Sequence, residues 1–271
     1  MNTILLDVGG TFIKCSDGRS VPIDSDGSRE SISASLRQAV GSASAEDSVA
    51  VAIPGPFDYK SGTFLMKHKF ASVYGESFRS LAGIPDGAEV RYVHDVTGML
   101  LGALTLPETL QYKRVALITL GTGLGFAFAV DGKPQISASG SPAVPLYNRP
   151  YLDGTAEDYA SKRGFSKAYR QVTGKPLPEG ISVKGLSESA MRGDRAALDT
   201  FSAVGTHLAE VSAPLLEELG IECLYLGGQI SLSFHLMETS VRQGLAHVGT
   251  LRSLSRLPNI ATATFDGLRS L

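Results

Sequence analysis

Short apolar runs alternate with one amphipathic stretch in the first part of the chain. The runs predict strands at Ile4–Leu6, Phe12–Ser16, Val21–Ile23, Val49–Ile53 and Glu89–Val93. Apolar residues at helical spacing predict a helix over residues 31–40 that ends at Gly41. A second helix is expected to start at His94-Asp95 and to run to about Leu104. This order of strands and helices predicts an α/β fold.

The second half of the chain opens with the same order of features as the first. A strand at Val115–Leu120 leads into the glycine turn Gly121–Gly125, and Phe126–Val130 is the return strand. An Asp-Gly dipeptide that favours a hairpin follows in both halves, at Asp17-Gly18 and at Asp131-Gly132. The unit occurs near residues 4–24 and 115–136, which predicts a duplicated α/β domain.

The rest of the chain predicts one loop, two helices and a strand. Residues 137–153 are rich in proline and serine and predict a loop, and Thr155–Asp158 predicts a capping box that starts a helix to about Val172. A long helix is expected over residues 198–219 and a strand at Cys223–Leu226. We place the domain border near Leu106-Pro107, with one domain at 1–106 and a larger one at 107–271. The last residues of the chain could pack against the first domain.

Composition excludes several classes of protein. The chain has 271 residues, 43% of them hydrophobic, with 25 Lys and Arg against 27 Asp and Glu. No basic surface is available for a phosphate backbone, which argues against nucleic-acid binding. The two cysteines lie far apart, and no secretion signal or long apolar segment is visible, so we expect a cytoplasmic protein without membrane insertion. Glycine is enriched, with 30 residues where about 19 are usual for this length.

Two glycine loops are the main candidates for chemistry. Gly9-Gly10-Thr11 and Gly121-Thr122-Gly123 each lie between two predicted strands. Backbone N–H groups of such loops can point at an anion, and the threonine hydroxyl adds a donor, so the pair predicts contacts to the phosphates of a nucleotide. The alternative is that both are tight hairpins whose glycines need a positive φ.

Two common nucleotide signatures are absent from the sequence. No string matches the Walker pattern G-x-x-x-x-G-K-[ST]. The glycines of 121–125 are spaced G-x-G-x-G and lead into a strand, whereas the dinucleotide pattern G-x-G-x-x-G opens a helix. P-loop enzymes and hydride-transfer enzymes are therefore disfavoured.

Two aspartates follow or end predicted strands. Asp7 lies beside the first glycine loop and could hold a magnesium ion against bound phosphate, or could instead cap the turn amides. Asp95 lies at a strand end and helix start, where it could accept the proton of a hydroxyl that attacks phosphorus. Its alternative role is to cap the helix that follows.

Five motifs in order resemble a known family. They are Asp7-x-Gly9-Gly10-Thr11-x-x-Lys14, Pro54-Gly55-Pro56, Asp95 after a strand, Leu120–Gly125 and Leu226-Gly227-Gly228. Together they resemble the bacterial ROK family (repressors, open reading frames and sugar kinases) of the actin/hexokinase-like fold. The resemblance implies two ribonuclease-H-like α/β domains with a cleft between them, ATP and Mg²⁺ as cofactors, and phosphoryl transfer to a sugar. It also implies a homodimer, since dimers are common in the family.

The resemblance implies a role for each matching residue. The phosphates would be held by Gly9, Gly10, Thr11, Lys14, Gly121, Thr122 and Gly123, and the adenosine by Gly227 and Gly228. Asp7 would serve the metal and Asp95 would be the general base. The residues expected to contact the sugar are Gly55, His68, His94 and Glu157. No helix-turn-helix precedes Lys14, so we expect a kinase and not a repressor.

The chain also departs from the family pattern. His94-Asp95 stands in place of Asn-Asp, and Thr97 in place of a further asparagine. The zinc loop is expected between about Ser139 and Gly154, but that stretch has no Cys or His, so we expect no zinc. The sugar-binding glutamate and histidine are missing near residues 141–144. The family's closing helix is expected to be short or missing after Phe265–Gly267.

Two departures leave alternatives open. Glu157 matches the end of the motif Gly154-x-x-Glu157-x-x-x-Ser161 and could contact a sugar hydroxyl, or could simply be a glutamate favoured in a first helical turn. Lys67-His68-Lys69-Phe70 replaces the family's asparagine-to-tryptophan segment. These cations could recognise an acidic or phosphorylated sugar, or could form a solvated face.

The function expected from the sequence is an ATP- and Mg²⁺-dependent, glucokinase-like sugar kinase. The alternative is a nucleotide- or sugar-binding protein of the same fold that has lost catalysis. The missing sugar motif favours this alternative, whereas the retained Asp7, Asp95 and glycine loops oppose it. A structural, actin-like polymer has little support, because no polymer contact is readable.

Overall fold

The structure, a computed structural model, describes residues 2–271 and divides into two compact units. The first unit comprises the chain as far as Pro107, together with Pro134–Ala143 and Ala261–Leu271. The second unit comprises Glu108–Lys133 and Val144–Ile260. The domain border expected near residues 106 and 107 stays a prediction.

The first unit is built on a five-stranded sheet. Its elements are β1 (Thr3–Val8), β2 (Phe12–Cys15), β3 (Ser20–Pro22), α1 (Arg29–Val40), β4 (Ser48–Ile53), β5 (Phe57–Asp58), β6 (Thr63–Phe64), α2 (Phe78–Ala82), β7 (Glu89–His94) and α3 (Asp95–Leu104). The sheet order is β3-β2-β1-β4-β7, in which β1 is antiparallel to β2 and parallel to β4. The strands and helices predicted for this region are confirmed, and α1 buries the predicted face: Ile32, Leu36, Ala39 and Val40.

The second unit repeats this plan. Its elements are β8 (Arg114–Leu120), β9 (Leu124–Val130), β10 (Lys133–Pro134), β11 (Pro150–Tyr151), β12 (Gly154–Thr155), α4 (Ala156–Tyr159), α5 (Lys162–Thr173), α6 (Val183–Met191), α7 (Arg195–Glu218), β13 (Cys223–Gly227), α8 (Glu238–Leu245) and β14 (Ser253–Arg256). The sheet order is β10-β9-β8-β13-β14, with β8 antiparallel to β9 and parallel to β13. The matching strand order confirms the duplicated unit that the sequence predicts.

Two local predictions in the second unit are wrong. The stretch 137–153 is not only a loop, because β11 pairs with β12 in a short hairpin. The helix expected from residue 155 to 172 is two helices, since α4 ends at Tyr159 and a new N-cap at Ser161 starts α5. The capping box at the start of α4 is confirmed: Asp158 accepts hydrogen bonds from the Thr155 N–H at 3.0 Å and from the Thr155 hydroxyl at 2.8 Å.

A short last helix, α9 (Ala263–Arg269), packs against α3 in the first unit. A Cβ on Gly267 would lie 1.9 Å from the Gly98 carbonyl oxygen, and one on Gly102 would lie 2.0 Å from the Ala263 carbonyl oxygen. Only glycine permits this approach of the two backbones. The closing helix of the chain is therefore present but only seven residues long, and it supports the helix that begins with Asp95.

Each unit encloses its own apolar core. In the first unit the core includes a group of aromatic rings, in which Phe64 lies 5.2 Å from Phe57 and 5.4 Å from Phe70 between ring centroids. Such ring pairs stabilise a core beyond the area they bury. Within residues 2–271, no helix combines the length and the apolar character needed to cross a bilayer.

Candidate active site

The glycine loop between β1 and β2 presents two backbone N–H groups without an acceptor. The carbonyls of Gly10 and Thr11 are used, because they accept hydrogen bonds from the N–H groups of Ser25 and Ile23, both at 3.0 Å. The N–H groups of Gly10 and Thr11 donate to nothing among residues 2–271. The loop is thus held by its carbonyls and keeps two adjacent donors for a ligand.

The glycine loop between β8 and β9 has the same property. Gly121 donates to the Gly123 carbonyl at 3.1 Å, and the Gly121 carbonyl accepts from the Lys162 N–H at 2.9 Å. The N–H groups of Thr122 and Gly123 have no acceptor in the described part of the chain. Adjacent, unbonded N–H groups form a concave site for an anion.

The explanation that these glycines only serve tight hairpins with a positive φ is wrong. None of Gly9, Gly10, Gly121 and Gly123 has a φ between +20° and +160°. A Cβ on Gly121 would meet no atom within 4 Å, so packing in the described chain does not require glycine there. A close approach by a ligand would account for glycine at this position.

Glu157 on α4 holds the second loop in place. Its Oε2 accepts a hydrogen bond from the Leu124 N–H at 3.0 Å, and a Cβ on Gly123 would lie 2.7 Å from the same oxygen. Its other oxygen pairs with Arg163, which also lies 3.4 Å from a carboxylate oxygen of Asp158. Glu157 is therefore more than a glutamate in a first helical turn, and Arg163 is a partner that the sequence analysis missed.

Gly227 and Gly228 end β13 beside the second loop. Gly228 has a φ of 79°, and a Cβ on it would lie 2.4 Å from the carbonyl oxygen of Leu120, the residue before the loop. Glycine is required here by contact with β8 as well as by the backbone conformation.

Asp7 on β1 faces Lys14 on β2 as its cross-strand neighbour. The Lys14 Nζ lies 3.6 Å from an Asp7 carboxylate oxygen, and no backbone amide of the described residues donates to that carboxylate. The pKa of Asp7 is raised, chiefly because the carboxyl is buried; Lys14 lowers it and the charge of Asp95 raises it further. The alternative that Asp7 caps the turn amides is therefore wrong.

His94 and Asp95 form a pair at the start of α3. His94 is the N-cap, and its Nδ1 lies 2.8 Å from an Asp95 carboxylate oxygen. That oxygen accepts a hydrogen bond from the Val96 N–H at 2.7 Å. Asp95 is thus the first helical residue and not the N-cap, and the Val96 N–H donates both to its carboxylate and, at 3.2 Å, to His94 Nδ1.

The environment keeps the Asp95 carboxyl ionised at neutral pH. Burial raises the pKa of Asp95, but His94, the Val96 N–H and the Lys69 ammonium lower it, and the net pKa lies below the usual range. An ionised carboxylate that is 39% exposed can accept a proton from a ligand.

Gly55 and Tyr59 line the region beside His94. A Cβ on Gly55 would lie 3.3 Å from the Tyr59 hydroxyl and 3.5 Å from the His94 ring. The Tyr59 hydroxyl donates to the Ile53 carbonyl at 2.9 Å, so this ring is fixed at the end of β4. The first unit therefore brings Gly55 and His94 together, as the resemblance implies.

A model of the ROK family matches residues 3–143 and 152–260. The chain belongs to the ROK family. It is 28% identical over 240 residues to an N-acetyl-D-glucosamine kinase of Yersinia enterocolitica, covering 80% of this chain and 76% of that protein. It is 23% identical over 214 residues to a glucokinase of Thermotoga maritima, covering 72% and 68%.

The fold is shared with solved structures of the family. A ROK family glucokinase from Streptomyces griseus, solved in complex with glucose and AMPPNP, superposes with a TM-score of 0.79 at 21% identity. The match covers 99% of this chain and 98% of that one. The chain thus has the two-domain α/β fold of ROK proteins, the actin/hexokinase-like fold expected from the motifs.

In this ROK protein, Lys69 and not His68 is the residue of Lys67–Phe70 that lies close to another candidate residue. His68 is exposed and has no hydrogen bond or ion pair to the described residues, so the structure does not join it to the other candidates. Lys69 is half-buried instead, and its Nζ lies 3.8 Å from the position that a Cβ on Gly10 would occupy. The sequence predicts a basic segment here but does not distinguish Lys69 from its neighbours.

Thr97, two residues after Asp95, carries a buried hydroxyl without a hydrogen-bond partner among residues 2–271. Its side chain is 4% exposed. A buried, unpaired hydroxyl costs free energy, about 1–3 kcal/mol in proteins, unless a water or a bound group satisfies it.

The carboxylates suit a metal that is shared with a ligand. No group of three or more His, Cys, Asp and Glu side chains within residues 2–271 is arranged to hold a metal ion. Mg²⁺ in nucleotide sites needs only one or two carboxylates, with phosphate oxygens and water as further ligands. Asp7, beside the free N–H groups of the first loop, fits a nucleotide-bound Mg²⁺ better than a closed protein site.

Proposed function

We propose that this ROK protein is a sugar kinase that uses ATP and Mg²⁺. The observation that carries the proposal is the matching pair of glycine loops, each with two adjacent N–H groups that have no acceptor in the described chain. Phosphate oxygens are the acceptors that such groups favour. The relatives named glucokinase and N-acetyl-D-glucosamine kinase support a hexose as acceptor.

Backbone groups of the two glycine loops would bind the nucleotide. In the first unit, Gly10 and Thr11 would donate to phosphate oxygens, with the half-exposed Lys14 as a nearby cation. In the second unit, Thr122 and Gly123 would do the same, and Gly227-Gly228 would line the adenosine. Mg²⁺ held by Asp7 would neutralise charge on the phosphates.

The acceptor hydroxyl would be activated by Asp95. Its carboxylate is ionised at neutral pH and held by the Val96 N–H, so it can accept the hydroxyl proton as the bond to phosphorus forms. Gly55, which has no side chain to block the His94 ring, would let a sugar approach it. Catalysis would then consist mainly of positioning and charge neutralisation.

A coupled assay of ADP release tests the proposal. The purified protein is incubated with ATP, Mg²⁺ and a panel of neutral, amino and acidic hexoses, with sugar-free and chelator-treated samples as controls. We expect release that depends on one class of sugar and stops when Mg²⁺ is removed. A protein that binds ATP but shows no sugar-dependent release across the panel would instead be the catalytically inactive binding protein.

A further inference from the structure

The Lys69 ammonium forms no hydrogen bond or ion pair with the described residues of the first unit. Its side chain is half-buried, whereas its neighbours Lys67 and His68 are exposed. No carboxylate or carbonyl of residues 2–271 forms an ion pair or hydrogen bond with its ammonium. Lysine is rarely withdrawn from water without a counter-charge, so this position is suited to an anion supplied by a ligand.

The backbone ties Lys69 to the first glycine loop. Ser25 donates to the Gly10 carbonyl at 3.0 Å, and its own carbonyl accepts from the Phe70 N–H at 2.6 Å. Ser25 thus links the loop directly to the residue after Lys69. These bonds hold the backbone next to Lys69 beside the loop, and the Lys69 Nζ lies 3.8 Å from the Cβ position of Gly10.

The ring of Phe70 fixes the same segment from the other side. Phe70 has a φ of 52°, which is uncommon for a residue with a bulky side chain, and its ring is fully buried against Phe64. Backbone strain of this kind persists only where the surrounding structure determines it, and it is frequent at ligand sites. The turn at Phe70 sends Lys69 toward the glycine loop while Phe70 enters the core.

Lys69 also acts electrostatically on Asp95. Its ammonium is one of the groups that lower the pKa of that carboxyl. Lys69 is thus close to Gly10, whose N–H lacks an acceptor, and within electrostatic range of Asp95, the proposed base. In a phosphoryl transfer, the group that moves passes from the phosphate site to the hydroxyl held by the base.

We propose that Lys69 contacts the terminal phosphoryl group of ATP and stabilises its charge during transfer, which makes it a catalytic residue of this chain. The inference rests on the proposed function and adds a cation to it. Charge develops on the oxygens of the transferring phosphoryl group, and a fixed ammonium stabilises that charge without reorganisation. In the balanced step, the oxygen of the acceptor bonds to phosphorus, the bond to the ADP oxygen breaks, and Asp95 receives the hydroxyl proton.

The alternative, recognition of an acidic sugar by Lys69, has less support. The ammonium lies beside Gly10 of the glycine loop, whose N–H has no acceptor among the described residues, and this position favours the nucleotide over the acceptor. The test separates the two because only one of them concerns the nucleotide.

The test compares Lys69→Met with Lys67→Met, a control in which the lysine is exposed and lies 5.3 Å from the Tyr74 ring centroid. Calorimetry measures the affinities for Mg²⁺-ATP and Mg²⁺-ADP. We expect Lys69→Met to weaken ATP binding about tenfold and to leave ADP binding unchanged, since ADP lacks the group that Lys69 contacts. Lys67→Met should change neither affinity.

Turnover with the best sugar of the panel is the second readout. Loss of one charge-stabilising group typically lowers kcat by about 10²–10³, and Lys69→Arg should restore part of it. Unchanged ATP affinity and kcat in Lys69→Met would overturn the inference and leave the proposed function intact. If Lys69→Met loses affinity for acidic sugars while the ratio of its ATP and ADP affinities is unchanged, the inference is also overturned, and Lys69 contacts the sugar instead.

Failure of the proposed function has a different signature. If the wild type transfers phosphate to no sugar but prefers ATP to ADP, and Lys69→Met abolishes that preference, the contact with the terminal phosphate stands and the kinase assignment falls. If the wild type shows no such preference, the contact itself is refuted.

Discussion

The Oε2 of Glu157 accepts a hydrogen bond from the Leu124 N–H at 3.0 Å. This bond joins α4 to the strand that leaves the second glycine loop, and the ion pair with Arg163 holds the other carboxylate oxygen. The structure thus places Glu157 against the proposed phosphate loop. A contact with a sugar hydroxyl stays a prediction.

Removal of the Glu157 carboxylate should loosen the second loop. A hydrogen bond to a charged group contributes about 1.5–3 kcal/mol, so Glu157→Ala should weaken ATP binding by about tenfold or more. Glu157→Gln keeps an acceptor for the Leu124 N–H, so its ATP affinity should fall less than that of Glu157→Ala. Calorimetry with ATP and the sugar checks this. An unchanged ATP affinity in both variants, with a raised KM for the sugar, would show that Glu157 serves the sugar instead.

The open space at Gly121 gives a clean test of close ligand approach. Because a Cβ there meets no atom within 4 Å, Gly121→Ala should leave the Tm unchanged but weaken ATP binding by about tenfold. Gly249→Ala is a matched control, since that position is equally open and lies in an exposed turn away from the loop. Equal ATP affinities in the wild type and Gly121→Ala would remove this loop from the nucleotide site.

The Asp7 carboxylate should lower the free energy of unfolding at neutral pH. Its pKa is raised, so the folded state disfavours the ionised form, and Asp7→Asn should raise the Tm at pH 7. The gain should shrink as the pH falls through the pKa of Asp7 in the folded protein, because the wild-type carboxyl then becomes neutral as well. Loss of the ion pair with Lys14 in Asp7→Asn should change the stability little, because the Lys14 side chain is 52% exposed.

Thermal unfolding at pH 7 and pH 4 measures this difference. Asp17→Asn is the control, because hydrogen bonds from Arg19 lower the pKa of Asp17, the opposite of the shift at Asp7. Removal of the Asp17 carboxylate should therefore not raise the Tm at pH 7. A Tm of Asp7→Asn below that of the wild type at pH 7 would contradict the account.

Much of the fold could be predicted from the sequence, because the signals are local. The face of α1 follows from apolar spacing alone, and the strands on both sides of each glycine loop follow from short apolar runs. The turn at Asp131-Gly132 has a positive φ at both residues, as its composition predicts. The overall fold could be predicted from the resemblance to the family, because five motifs occur in the family's order.

The features that could not be predicted depend on contacts between distant segments. Glu157 accepts a hydrogen bond from Leu124, a contact 33 residues away that periodicity cannot show. Likewise, the sequence shows three basic residues in Lys67–Lys69 but not which one is turned inward. The positive φ of Phe70 and the packing of its ring against Phe64 accompany that turn, and both depend on the aromatic core.

The central claim is that Asp95 accepts the proton of a sugar hydroxyl during phosphoryl transfer from ATP. Asp95→Asn keeps the shape of the side chain and an acceptor for the Val96 N–H, but it cannot take the proton. The most direct measurement is single-turnover transfer from radiolabelled ATP to the best sugar, in the wild type and in Asp95→Asn, with ATP affinity measured in parallel. We expect the rate to fall by about 10²–10⁴ with ATP affinity nearly unchanged. Equal transfer rates in the two proteins would contradict the role of Asp95, and no transfer by the wild type to any sugar would contradict the kinase itself.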